Sequence, residues 1–150
     1  MSCVRSRSAS ARIRSESSGG GSGGADIWAE ALSLSYTAGA ALSGHRIVRA
    51  NASGQVVYAS NATLTDAGKA LGLTRGAVSS GSAVSILHVG VIEEPSWSWD
   101  TSLLVYLGTS GQLTQTAPTA GSGAAFLQIV GVPLTPTRLY IDIRQAFALA

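Results

Sequence analysis

Charge and aromatic side chains are what this chain has least of. Only 12% of its 150 residues are charged and 6% aromatic, against 45% hydrophobic, so it lacks the polar, high-charge composition of a disordered protein. A single cysteine, Cys3, excludes an intrachain disulfide framework and any multi-cysteine metal site. The two histidines, His45 and His88, are far from ligand spacing, and Glu93-Glu94 is followed by Pro95 where a further ligand would stand. No apolar run approaches the roughly eighteen residues of a membrane-spanning helix. The first twenty residues carry basic groups without an apolar core of the signal-peptide kind. The expectation is a soluble protein with no membrane partner, made in the cytoplasm.

What is present is Gly (18 residues), Ala, Ser and Thr in abundance, which suits thin, tightly turned β structure better than thick helical packing. Residues 1–24 form a segment of their own: Ser, Arg and Gly with almost no apolar content, ending in Gly-Gly-Gly-Ser-Gly-Gly. Such a segment buries too little to offset its ordering entropy and is expected to be a disordered basic arm. Its arginines, Arg5, Arg7, Arg12 and Arg14, are the candidate arm contacts; four cations make a small electrostatic footprint, so a solvated tail or an over-extended reading-frame start is favoured over nucleic-acid binding. Without the arm, residues 25–150 hold six basic and seven acidic groups, and are read as one β domain.

The domain opens on Asp26-Ile-Trp-Ala-Glu-Ala-Leu-Ser-Leu, which fits either a short helix, with Trp28 and Leu32 on one face, or an edge strand. Then His45-Arg-Ile-Val-Arg-Ala, the turn Asn51-Ala-Ser-Gly and Gln55-Val-Val-Tyr-Ala spell a hairpin. The same grammar returns in Leu103-Leu-Val-Tyr-Leu, Gly108-Thr-Ser-Gly and Gln112-Leu-Thr-Gln. Val48 and Val105, Ser53 and Ser110, Gly54 and Gly111, and Gln55 and Gln112 are each 57 residues apart. Leu71-Gly-Leu-Thr matches Val130-Gly-Val-Pro with a slip of two, and Val84 and Ile86 match Ile141 and Ile143 at the original spacing. Leu139, Ile141 and Ile143 alternate with Tyr140, Asp142 and Arg144, the signature of a half-buried strand. Two pseudo-repeated hairpin units, about 45–88 and 102–145, each too small to cover its own apolar face, predict a mainly β fold: a small β-sandwich or barrel.

Chemistry is thinly supplied. Gly19–Gly24 lacks the Gly-Lys-Ser/Thr ending of a phosphate loop, Gly121-Ser-Gly123 opens no strong helix, and Ser22 lies in linker sequence that fixes no nucleophile geometry. His45 and His88 read as ordinary strand residues. No catalytic, cofactor-binding or metal residue is assigned, and the reading is non-enzymatic. The distinctive cluster is Glu93-Glu-Pro-Ser-Trp-Ser-Trp-Asp100, whose tryptophans at i and i+2 share a face if the segment is extended. Trp97, Trp99 and Tyr106 are the candidate residues for a subunit interface or a sugar-stacking platform, with capping of a barrel end as the structural alternative.

From Ala41-Leu-Ser-Gly-His-Arg through Tyr58-Ala-Ser-Asn, Leu71-Gly-Leu-Thr, Trp97-Ser-Trp, Val105-Tyr-Leu-Gly, Gly111-Gln-Leu-Thr-Gln, Pro118 and Val130-Gly-Val-Pro, the chain resembles small structural proteins of tailed-phage virions. The likeness spans residues 41–147, roughly 70% of the chain, and rests on the order of parts found in capsid decoration, head-fibre and tail-fibre proteins. It implies a virion location, attachment to other virion proteins such as the major capsid or tail proteins, and a homo-oligomer, most simply a trimer. It implies no catalytic residue. The alternative function is a carbohydrate-binding module of a fibre or spike that uses Trp97 and Trp99 on a host surface glycan.

Overall fold

The computed structural model describes residues 31–150, so the expectations for the arm, its four arginines and Trp28 lie outside the described residues. Ten strands follow one another: β1 (Leu32–Thr37), β2 (Ile47–Ala50), β3 (Val56–Tyr58), β4 (Ala70–Thr74), β5 (Ala83–Glu93), β6 (Val105–Leu107), β7 (Leu113–Thr114), β8 (Phe126–Thr135), β9 (Arg138–Asp142) and β10 (Ala146–Ala148). Among the described residues there is no α-helix, only 3-10 turns at Leu64–Asp66 and Thr109–Gly111. Leu32–Thr37 is therefore strand, as its β-branched and aromatic end favours, and not the continuation of a helix.

The strands form one curled, antiparallel sheet, a half-barrel, in the order β3-β2-β4-β5-β9-β8-β6-β7, with β1 added beside β5 and β10 beside β8. The order reads alike from both ends: a hairpin, then the strand that flanks its first arm, then a strand meeting its counterpart at the centre. In the hairpins, Arg49 faces Val57 and Tyr106 faces Thr114, so the pairing itself advances by the 57 residues that separate the two turns. Val48 then faces Gly72, and Val105 faces Gly131, each pair followed directly by a register shift. The closing strands depart from the sequence alignment. Thr74 faces Ile86 where Pro133 faces Leu139, so Ile86 corresponds to Leu139 and the expected Ile86–Ile143 match is four residues out. The reason is physical: on a strand of alternating apolar residues a slip by an even number keeps every side chain on its face, so hydrophobic pattern alone leaves that register open.

One core fills the concave side: Ile47, Leu73, Leu87, Val105, Leu107, Phe126, Val130, Leu139 and Ile141 are all fully buried and come from both halves. A second, smaller core of Ala38, Leu42, Val48, Val56, Val84 and Ile86 covers the other face of the first half. β5 thus buries Val84 and Ile86 on one side and Leu87 on the other. The 11-residue length of β5 lets it serve several partners: β1 along Ala83–Val89, β4 opposite Ile86 and Leu87, and β9 along Val89–Glu93. Gly72 is obligatory where β4 passes β5, since a Cβ there would overlap the Leu87 carbonyl.

Main-chain hydrogen bonds draw the two ends of the sheet together. The Asn61 N–H donates to the Gly108 carbonyl at 3.0 Å, the Gly111 N–H to the Ala59 carbonyl at 2.6 Å, and the Ala125 N–H to the Asn61 carbonyl at 2.7 Å. The curl is what gathers the candidate site.

Candidate functional site

The segment after β5 is irregular, and its geometry comes from local bonds. The Trp97 N–H donates to the Glu94 carbonyl at 3.0 Å, and the Trp99 N–H reaches the Pro136 carbonyl in the β8–β9 turn at 2.8 Å. Across the cleft, the Gln115 amide grips the far end of the segment: its Oε1 accepts from the Asp100 N–H at 3.0 Å, and its Nε2 donates to the Asp100 carbonyl at 2.8 Å and the Leu103 carbonyl at 3.2 Å. With both ends tied, the tryptophans land on one side of the segment. Their ring centroids are 5.4 Å apart at 59°, and both rings pack against the main core. The indoles are therefore half-buried against that core.

His45 completes the aromatic group. Its ring meets Trp97 edge-on, 4.9 Å between centroids. It holds the left-handed backbone conformation, φ 60°, with its N–H donating to the Thr74 carbonyl at 2.8 Å. A non-glycine residue in that region is uncommon and is held there by its surroundings. The expectation of an ordinary strand residue at His45 is thus corrected: it precedes β2 and turns the chain into it. Next to it, the Arg46 guanidinium lies over the Tyr58 ring, 5.5 Å from the centroid, and donates to the Ser110 carbonyl at 2.9 Å. Tyr58 in turn accepts the Ser43 N–H at 2.7 Å. Although desolvation acts against it, the Ser43 hydrogen bonds and the Arg46 charge bring the phenol below its ordinary pKa.

His45, Arg46, Trp97, Trp99, Gln112 and Thr114 line an open groove of about 420 Å³. Of the residues singled out by sequence, Trp97 and Trp99 meet here and Tyr106 does not. On β6, Val105 and Leu107 point into the core against which the tryptophans pack, and alternation sends Tyr106 to the opposite face. His45, Arg46, Gln112 and Thr114 were not anticipated as site residues. They lie about fifty residues upstream of the tryptophans or beyond the second hairpin turn, and nothing in their local sequence assigns them to a common site.

Two carboxylates border the segment, and both are biased toward ionisation. The Ser96 N–H and hydroxyl, together with the neighbouring His45, hold Glu94 below its ordinary value. The Ser102 hydroxyl and N–H do the same for Asp100, the hydroxyl at 2.6 Å. His88 is elsewhere, accepting or donating at Nε2 with the Tyr36 hydroxyl 2.9 Å away. Among the described residues no three His, Cys, Asp or Glu side chains gather as a metal site. No helix among them is long and apolar enough to cross a membrane. No protein-family model matches the chain, and no curated protein matches it.

Proposed function

We propose that this chain is a non-enzymatic structural protein of a tailed-phage virion, a capsid decoration or fibre component that oligomerises and attaches to a larger assembly. Its two hairpin units would act as one rigid β module. The observation that carries the proposal is the outer edge of β1, which pairs with no strand but β5 among the described residues. β1 has neither charge nor proline, and its Leu32 and Leu34 are 52% and 49% exposed. Natural sheets ordinarily blunt such an edge with lysine, proline or a covering loop, and a neighbouring subunit does the same work. The resemblance of its motif order to that of decoration and fibre proteins is what suggests the virion setting and a threefold assembly.

Light scattering on the purified chain at micromolar concentration is expected to show an oligomer that Leu32→Lys with Leu34→Lys reduces to monomer. A chain that stays monomeric on concentration would remove the assembly proposal. Electron microscopy of intact particles would then place the protein on capsid or tail.

A second reading has its own observation. The Trp97–Trp99 pair, walled by His45, Arg46 and Gln112, joins apolar ring faces to planar hydrogen-bonding groups, the combination that holds a sugar ring. Titration of intrinsic tryptophan fluorescence with sugars tests it directly.

A further inference from the structure

We infer that the groove at the β9–β10 junction is a binding site for a small carboxylic acid that also carries a neutral N–H or O–H donor. The observation behind it is one buried oxygen without a partner. Gln128 stands on the core face of β8 between Phe126 and Val130 and is 1% exposed. Its Nε2 donates to the Arg144 carbonyl at 2.7 Å, which fixes the orientation of the carboxamide. Among the described residues nothing donates to its Oε1. A buried acceptor is costly to leave unmet. The bond to Arg144 gives one half of this carboxamide a structural role and leaves the other half without one.

Gln128 is part of the wall of a groove of about 520 Å³, formed with Ala67 and Gly68 before β4 and with residues 143–146. It shares no lining residue with the tryptophan groove, so the glycan reading and this one stand or fall separately. The groove exists because of a mismatch in length. Ile141 faces Gly131 and Ala146 faces Gln128, so five steps along β9 and β10 match three along β8. The excess bows the strand away from the sheet, and the Arg144 N–H pins the bow by donating to the Ile129 carbonyl at 2.9 Å. Ala67 and Gly68 follow Asp66, which is buried and accepts the Ser60 N–H, so that wall is braced as well. The Gln128 oxygen itself is out of contact with bulk water. Access to it depends on the exposed Arg144 and Gln145 side chains, which line the groove and can rearrange at its rim.

The groups present select the ligand. Oε1 accepts, so the ligand donates. The donor is neutral, because the Arg144 guanidinium shares the groove and disfavours an ammonium there. Arg144 favours a carboxylate instead; Asp142 takes only its Nε, at 2.7 Å, and does not line the groove. One guanidinium balances a single negative charge, which points to a carboxylate over a doubly charged phosphate monoester. The Gln145 amide adds a group that both donates and accepts. A hydroxy acid and the acylated last residue of a peptide each join a carboxylate to a neutral donor in one small unit.

The test is a titration of the full, isotope-labelled chain followed by NMR, with lactate, N-acetylglycine and acetate as probes. Lactate or N-acetylglycine is expected to bind about tenfold tighter than acetate, which has the carboxylate and lacks the donor, and to shift the Gln128 side-chain amide resonances. Whichever of the two prevails identifies the source, a hydroxy acid or a peptide end. Gln128→Met, similar in shape and without the acceptor, should erase that preference. Arg144→Gln leaves the core untouched and keeps the backbone carbonyl that Gln128 uses; it should weaken both donor acids about tenfold. Equal binding of all three probes, or a preference that survives Gln128→Met, would overturn the role of the oxygen, and unchanged binding in Arg144→Gln would overturn the anionic class. No shift at Gln128 with either donor acid would overturn the site, as would a crystal structure in which a fixed water meets Oε1 and persists after soaking with both.

Discussion

Ser53-Gly54-Gln55 and Ser110-Gly111-Gln112 are the same tripeptide at the bend of two hairpins with the same pairing register, and they live in different worlds. The first turn is built from within. The Asn51 Oδ1 accepts the Ser53 N–H at 2.9 Å and the Gln55 N–H at 3.0 Å, and Gly54, at φ 79°, has open space around it. The second turn is built from outside. Ser110 and Gly111 are both left-handed, at φ 51° and 71°, and Gly111 is buried against β2 and Ala59. Arg46 holds the Ser110 carbonyl from the same direction. One turn ends a hairpin in solvent; the other fastens one end of the sheet to the other. A turn motif encodes backbone conformation, and where the turn docks is a property of the folded whole.

The largest expected effect is a contrast between two glycine substitutions. Gly111→Ala adds a Cβ 2.5 Å from the Ile47 carbonyl oxygen at a left-handed position. It is expected to cost about 3 kcal/mol or more, from strain plus a clash that backbone must relieve. Gly54→Ala meets only the conformational penalty, about 1 kcal/mol. Urea denaturation of both variants measures the gap; equal losses would mean that the two turns are equally free.

Asp66 provides the next test, because it braces only the first half. It is buried, its Oδ2 accepts the Ser60 N–H at 3.0 Å, and its Oδ1 lies 2.7 Å from Arg49 Nε, out of line for a hydrogen bond. In the second hairpin the position of Arg49 is taken by Tyr106, and no such pair exists there. Asp66→Ala is expected to cost about 3 kcal/mol, by leaving a guanidinium half-buried and the Ser60 N–H unmet. Hydrogen exchange should show that loss concentrated in β2 and β3 and spare β6 and β7. Asn51→Ala should cost less, about 1 to 2 kcal/mol, and only at the first turn.

The smallest effect concerns pH and falls on the tryptophan segment alone. Glu94 and Asp100 are held below their unfolded pKa values, so the folded state binds fewer protons than the unfolded state as pH falls toward them. Their contribution is complete above the unfolded carboxylate range and disappears as pH drops through the lowered folded values. Both groups are exposed, and the contribution is correspondingly small. Urea midpoints measured between pH 6 and pH 3 should decline slightly less in Ser102→Ala than in the parent chain, because the Ser102 hydroxyl is the largest cause of the Asp100 shift.

How far the sequence reached can be read from particular residues. The β class, the two hairpins and the Gly-centred strands were legible because they rest on local signals: alternation, Asn-x-Ser-Gly and Ser-Gly-Gln turns, and glycine where strands pass closely. Trp97 and Trp99 stood out in the sequence as a pair at i and i+2, but the segment that carries them is irregular, and the Glu94, Pro136 and Gln115 hydrogen bonds set how the two rings sit. The register of the closing strands was not legible, since an even slip costs no hydrophobic match. Neither was the meeting of His45 with Trp97, nor the separation of Tyr106 from both tryptophans. Local chemistry therefore determined which segments become strands and turns. Only the tertiary structure decided that one sheet curls, which turn fastens it, and which distant side chains face a common groove, because those outcomes depend on burying both halves against one core and not on any residue's neighbours in the chain.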